Sequence, residues 1–275
     1  MLKRIITGLV GIPVVTLAIN KGGEVFALLV LALALGAFYE LRNLFAIKNI
    51  HIYYKTGILF NILCIYMAYE WGVSSMAATV VLALVTFMIM SLRQNKQENW
   101  LYNAGFTVWS LLYSGLFFAH FILLRNFGAL KFYSTYFGKM SFGEAIIWII
   151  VLGTWASDTF AYFFGIAIGK HKACPNISPK KSWEGYIAGF IFCLLTVVYL
   201  GNILFGVEYF ILLMLAPVVA ILAPLGDLVE SLLKRYVDIK DSGSFFPGHG
   251  GVLDRLDSLL IVLPVAYYVV YFTLF

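Results

Sequence analysis

Apolar stretches long enough to cross a bilayer recur along nearly the whole of this 275-residue chain, and that recurrence leaves few folds open. Hydrocarbon offers no water to unpaired N–H and C=O groups, so a spanning segment must satisfy its own backbone, as a helix does. About twenty apolar residues are enough at a rise of about 1.5 Å per residue. Nine stretches meet or approach that length, at roughly 5–20, 25–41, 56–70, 73–92, 104–124, 145–167, 185–205, 209–230 and 256–275, the shortest being 56–70. With 62% hydrophobic and 12% charged residues and a mean hydropathy of +0.91, the composition excludes a soluble domain. The sequence therefore predicts an all-α, polytopic integral membrane protein with about nine transmembrane helices, folded as a single domain over residues 1–275.

The basic residues orient these spans. With the N-terminus cytoplasmic, Lys3, Arg4, Arg42, Lys48, Lys55, Arg93, Lys96, Lys170, Lys172, Lys180, Lys181, Lys234, Arg235, Lys240 and Arg255 fall on the inner side. Lys21, Arg125, Lys131 and Lys139 fall outside, giving 15 against 4 of the 19 basic residues. This is the asymmetry of the positive-inside rule, and it predicts a multi-pass protein of the cell (inner) membrane. The net charge of +5 is then mostly a topology signal. It leaves an inner face suited to anionic headgroups and nucleotides, with no nucleic-acid partner implied. The first stretch, behind Lys3 and Arg4, resembles a signal peptide but lacks a small-residue cleavage site, so it reads as a retained span. Cys64, Cys174 and Cys193 are too few and too scattered for a disulfide framework or a cysteine metal site.

The two halves differ in character. Residues 1–144 read as scaffold spans, with acids only at Glu24, Glu40, Glu70, Glu98 and Glu144. Glu40 and Arg42 are expected to snorkel or pair at a span's inner end. The 125–143 segment is the longest outer connection and suggests no role. Residues 145–275 hold the chemistry. Asp158 lies inside one span, Asp227 near the inner end of another, and Asp254 and Asp257 at the start of the last. Four acids from three helices thus meet one leaflet.

Charge is densest in Ser231–Asp257, where four acids, four bases, His249 and four glycines fall within 27 residues. Such density beside a membrane is costly and usually functional. Asp227 follows Pro224 and Gly226, residues that loosen a membrane helix and free carbonyls. Its carboxylate requires either a metal ion or a salt bridge to Lys234 or Arg235. Asp254 and Asp257 are three apart and share a helix face. One of them could simply answer a helix dipole, but two exceed what capping needs. Gly250 and Gly251 permit close approach of a ligand to the backbone, and His249 could bind phosphate. In Ser178-Pro-Lys-Lys-Ser-Trp-Glu-Gly185, Ser182 reads as an N-cap. Lys180 and Lys181 beside that helix start are either topological or a phosphate site. Lys234, Arg235, Lys240 and Arg255 are candidate phosphate contacts. The chain has no Gly-x-x-x-x-Gly-Lys-Ser/Thr, Gly-x-Ser-x-Gly or His-Glu-x-x-His motif, which disfavours P-loop ATPase, serine hydrolase and zincin chemistry. Metal-assisted phosphoryl or nucleotidyl transfer needs no covalent nucleophile.

Ser231-x-x-Lys234-Arg235, Lys240-Asp241 and Pro247-x-His249-Gly-Gly-x-x-Asp254-Arg255-x-Asp257 together resemble the signature of the phosphatidate cytidylyltransferases (CDP-diacylglycerol synthases). Ser178–Gly185 and the Ser157-Asp158 span are similar to that family too. The resemblance implies that CTP and phosphatidic acid give CDP-diacylglycerol and pyrophosphate with Mg²⁺, in a membrane-embedded homodimer whose two-cation centre includes K⁺. On it, Asp227 and Asp254 are expected as Mg²⁺ ligands with Asp257 close by, and Asp158 as support for Lys180, Lys181 or a second cation. Lys234 and Arg255 are expected to join the acids in catalysis. The alternatives are a CTP-dependent lipid or polyprenol kinase and a cation-coupled transporter using Asp158 and Asp227.

The topology places Cys174 in an inner loop and Cys64 and Cys193 within spans. In sealed right-side-out vesicles, a membrane-impermeant thiol reagent should label Cys174 only after the membrane is opened. Rapid labelling from outside would overturn the orientation.

Overall fold

A computed structural model describes residues 2–92, 99–128, 132–246, 248 and 250–274, without the side chains of 2–6, 8 and 132. Arg93, Lys96, Lys131 and His249 therefore lie outside the described residues. The protein is an all-α polytopic membrane protein. Its described residues form nine helical rods: α1 Leu2–Lys21, α2 Gly23–Ile47, α3 Tyr54–Glu70, α4 Val73–Leu92, α5 Trp100–Asn126, α6 Phe142–Ala167, α7 Trp183–Phe205, α8 Tyr209–Tyr236 and α9 Leu253–Leu274. Seven of these, all but α1 and α3, are long and apolar enough to cross a membrane by themselves. Both α5 and α7 contain one π-helical turn, at Leu112–Leu116 and Thr196–Leu200.

Two C-terminal ends run well past the expected spans, for one reason. The polar residues that close an apolar stretch are themselves good helix formers. Thus α2 runs on to Ile47, which puts Glu40 inside the helix instead of at its end. Likewise α8 continues to Tyr236 and takes Lys234 and Arg235 into its last turn, where cations answer the helix dipole. It runs unbroken through Pro217 and Pro224.

The chain divides into two compact units, Met1–Leu123 with Tyr236–Arg255, and Leu124–Arg235 with Leu256–Phe275. In the first, Tyr53, Phe60, Ala83, Phe87 and Leu111 form an apolar core. Buried polar side chains fix its helices and turns. Thr107 accepts from the Tyr53 amide at 2.9 Å, Asn103 from the His51 amide at 2.8 Å, and Ser114 donates to Asn61 at 2.9 Å.

In the second unit α6 and α7 pack through small residues, because lipid-embedded helices gain by close backbone approach. A Cβ at Gly189 would stand 2.7 Å from the Ser157 carbonyl, and one at Gly185 would stand 2.6 Å from that of Ala161. Two short antiparallel hairpins flank this pair. The strands β1 Phe132–Thr135 and β2 Gly138–Ser141 lead into α6, and β3 Lys172–Cys174 with β4 Ser178–Ser182 lead into α7. The 125–143 segment thereby acquires a role. Buried Arg125 donates to Ser141 at 2.9 Å and pairs with Glu144 at 3.3 Å, while Ser141 caps α6 by accepting from the Glu144 amide.

Arg125→Met strands the Glu144 charge and is expected to cost about 3 kcal/mol. The double variant with Glu144→Gln should recover at least half of the loss in apparent melting temperature of the detergent-solubilised protein. Equal melting of the single variant and wild type would show that the pair does not hold the hairpin.

Candidate active site

The second unit gathers three acids. Gly226 on α8 is buried against α9, and a Cβ there would run into the Asp257 carbonyl and stand 3.1 Å from Ser258 Cα. The missing side chain lets the two backbones touch, and it delivers the neighbouring Asp227 within electrostatic reach of Asp257. Asp158 on α6 joins them, interacting with both Asp227 and Lys181 and bonding the Ser258 side chain. Lys181, at the end of β4, lies 2.6 Å from Asp227 Oδ2, and Ser231 Oγ donates to Asp227 Oδ1 at 3.2 Å. Lys234 feels the charge of Asp257 but pairs with Glu230, one turn earlier on α8, at 2.5 Å. The salt bridge foreseen for Asp227 therefore exists, with a different partner: Lys181 instead of Lys234 or Arg235.

Three carboxylates face two lysines here, and one of those lysines is shared with buried Glu230. This excess of hard oxygen donors fits a small divalent cation. Among the described residues, no three His, Cys, Asp or Glu side chains converge tightly enough to hold a metal ion alone. Magnesium seldom asks for such a cage, because it takes one or two carboxylates and completes its shell with water and substrate phosphates.

The loop leading to α7 follows its sequence pattern. Ser182 is buried and caps the helix, accepting from the Gly185 amide at 3.2 Å. Lys180, two residues before it, is exposed. His171 Nδ1 lies 2.6 Å from Glu184, a pair that nothing in the spacing announced. Arg235 is exposed and donates through Nε to the Ile177 carbonyl at 3.4 Å.

Asp254 belongs to a different network, in the first unit. Its Oδ2 accepts from the Ser242 amide at 2.9 Å, the Ser242 hydroxyl at 2.9 Å and the Gly251 amide at 2.8 Å. Glu40 of α2 meets the same loop. It accepts from the amides of Val252 at 2.8 Å and Leu253 at 3.0 Å, and from the Ser242 hydroxyl at 3.2 Å. Glu40 does not snorkel or pair with Arg42 as its position suggested: it is buried on the backbone of the glycine-rich loop, while Arg42 stacks over Tyr54 at 4.6 Å. Gly250 and Gly251 also have an intramolecular reason to be glycine. A Cβ at Gly250 would sit 2.7 Å from Asp254 Oδ2, and one at Gly251 would sit 2.5 Å from both Glu40 oxygens. Lys240 and Arg255 are exposed, and His249 lies outside the described residues.

Sequence reasoning thus missed Glu40 and Glu230 as parts of these networks. The available signal was generic: an acid within an otherwise apolar helix seldom lacks a task.

A bundle of membrane helices that gathers three aspartates and two lysines, with a helix-capping loop at hand, has the makeup of a membrane-embedded transferase. The chain belongs to the cytidylyltransferase family, whose pattern it matches over residues 2–273. It is 33% identical to the phosphatidate cytidylyltransferase of Bacillus subtilis (strain 168) over 98% of this chain and 97% of that protein. It is 34% identical to the phosphatidate cytidylyltransferase of Staphylococcus haemolyticus, over 96% of this chain and 97% of that protein.

Because α8 and α9 touch at Gly226, Gly226→Val must part them. Overpacking of this kind costs about 1–3 kcal/mol, and the variant should melt several degrees below wild type. A variant of unchanged melting temperature would show that the contact is loose.

Proposed function

We propose that this protein is a phosphatidate cytidylyltransferase that converts CTP and phosphatidic acid to CDP-diacylglycerol and pyrophosphate. The observation that carries the reading is the likeness to the Bacillus subtilis enzyme along 98% of the chain. The clustered acids and lysines fit its chemistry. A phosphatidate oxygen is already anionic and needs no strong base. It attacks the α-phosphorus of CTP, the bond to the β-phosphate oxygen breaks, and pyrophosphate leaves. A bound Mg²⁺ would supply charge neutralisation on the phosphates.

In this reading Asp227 and Asp257 hold the metal with Asp158 in support, and Asp254 contributes from its own loop. K⁺ would serve as a second, monovalent cation. Lys181 sits on Asp227; with a cation held by that carboxylate, its ammonium would be free to meet a phosphate. Lys180, Ser182 and Arg235 extend the same phosphate-binding role, and Lys240, His249, Gly250, Gly251 and Arg255 belong to the signature loop. Nine spans with a cytoplasmic N-terminus place the reaction on the inner face of the cell membrane, where CTP is available. A homodimer is the proposed assembly.

Purified protein given phosphatidic acid, Mg²⁺ and CTP labelled at the α-phosphate should release pyrophosphate and retain the label on the lipid. Label passing to lipid only from the γ-phosphate would make it a lipid kinase instead. Asp227→Asn should lower turnover more than tenfold, about 1.4 kcal/mol of barrier, while the protein stays folded. Retention of a tenth or more of the activity would remove Asp227 from the metal site.

A further inference from the structure

Glu40 lies about two hundred positions before the signature loop, in the half of the chain that the sequence presents as scaffold. The residue is 3% exposed, and the structure surrounds its carboxylate with donors from one short segment. Oε1 accepts from the Val252 amide, while Oε2 accepts from the Leu253 amide and the Ser242 hydroxyl. Val252 and Leu253 are the residues on which α9 begins, and the first amides of a helix have no partner within it. Glu40 caps that helix from another one, placing a negative charge against the positive end of its dipole.

The surface of α2 is cut to receive the loop. Gly36 lies one turn before Glu40, and a Cβ there would meet Val252 Cγ2 at 3.0 Å and Phe245 Cε2 at 3.3 Å. The loop is cut in return. A Cβ at Gly243 would stand 2.7 Å from Glu40 Oε1, and Gly251 has the same constraint. Ser242 links the two acids, since its single hydroxyl lies 3.2 Å from Glu40 and 2.9 Å from Asp254. Charge-assisted bonds to a buried acceptor are among the stronger ones, so the loop is pinned at Ser242 and again at Val252 and Leu253, immediately before Asp254.

We propose that Glu40 is a positioning residue for the reaction: an anionic clamp that fixes the loop at Ser242, Val252 and Leu253, and through it Asp254. The catalytic part of this inference rests on the cytidylyltransferase reading above, whereas the clamp itself does not.

The test uses the full-length protein in detergent and the variants Glu40→Gln and Glu40→Ala. Glu40→Gln keeps the shape but turns one acceptor oxygen into a donor facing an amide donor. Hydrogen–deuterium exchange of peptides covering 240–253 should quicken at least tenfold in Glu40→Gln, with exchange across α6 unchanged. Turnover per folded molecule should fall at least tenfold, with the melting temperature within a few degrees of wild type. Glu40→Ala should accelerate exchange further; if it does not accumulate, Glu40→Gln carries the test. Unchanged loop exchange in Glu40→Gln would overturn the clamp. Faster exchange with wild-type turnover and wild-type KM for CTP would reduce Glu40 to a structural residue and overturn its positioning role. A wild-type protein that transfers no cytidylyl group defeats the functional reading instead, and the exchange measurement still decides the clamp.

Discussion

A charge carried into the interior of a membrane protein must find its counter-charge or its donors within the protein, because the surrounding hydrocarbon supplies neither. Much of this structure follows from that constraint. Arg125 meets Glu144, Lys181 meets Asp227, Lys234 meets Glu230, and Glu40 meets two helix-end amides. Apart from Lys234 with Glu230, which lies within α8, each pairing ties segments that apolar packing alone would leave free to slide, since one lipid-facing helix surface is as greasy as another. Close contact of small residues then sets the distance, as at Gly226 and Gly189.

The pairings divide into two kinds. Arg125 with Glu144 is balanced, one charge against one, and its product is a fixed hairpin. The group around Asp227 is not balanced, since three acids share two lysines and one lysine is drawn toward Glu230. An unbalanced group costs stability, and proteins tolerate that mainly where a ligand completes the charge. On physical grounds alone, this separates the acids around Asp227 from the structural ion pair of Arg125 and Glu144.

Much of the architecture could be read from the sequence, because a bilayer reduces folding to a question of length and polarity. The nine helical rods coincide with the nine apolar stretches, and Ser182 caps α7 as its spacing indicated. The signature residues were legible as a string, but their division into two networks was not. Nothing in the spacing of Asp254 and Asp257 says that one side chain would bind loop amides and the other would face Asp227. That outcome depends on where α2 and α8 lie, which is tertiary information. Glu40 escaped for the same reason. Its partners are 212 and 213 positions away, and local patterning cannot see contacts of that range.

The distance between Glu40 and its donors also has a temporal side. A chain is threaded into the membrane from its N-terminus, so α2 is made early and Val252 near the end. Throughout that interval the Glu40 carboxylate lacks the amides that later receive it. The segment bearing it must wait near the lipid headgroups, keep a proton, or borrow another partner. Closure of the glycine-rich loop is therefore among the last events of biogenesis. A chain truncated before its final helix would retain an unanswered acid in α2, a mark by which quality control could tell an unfinished molecule from a complete one.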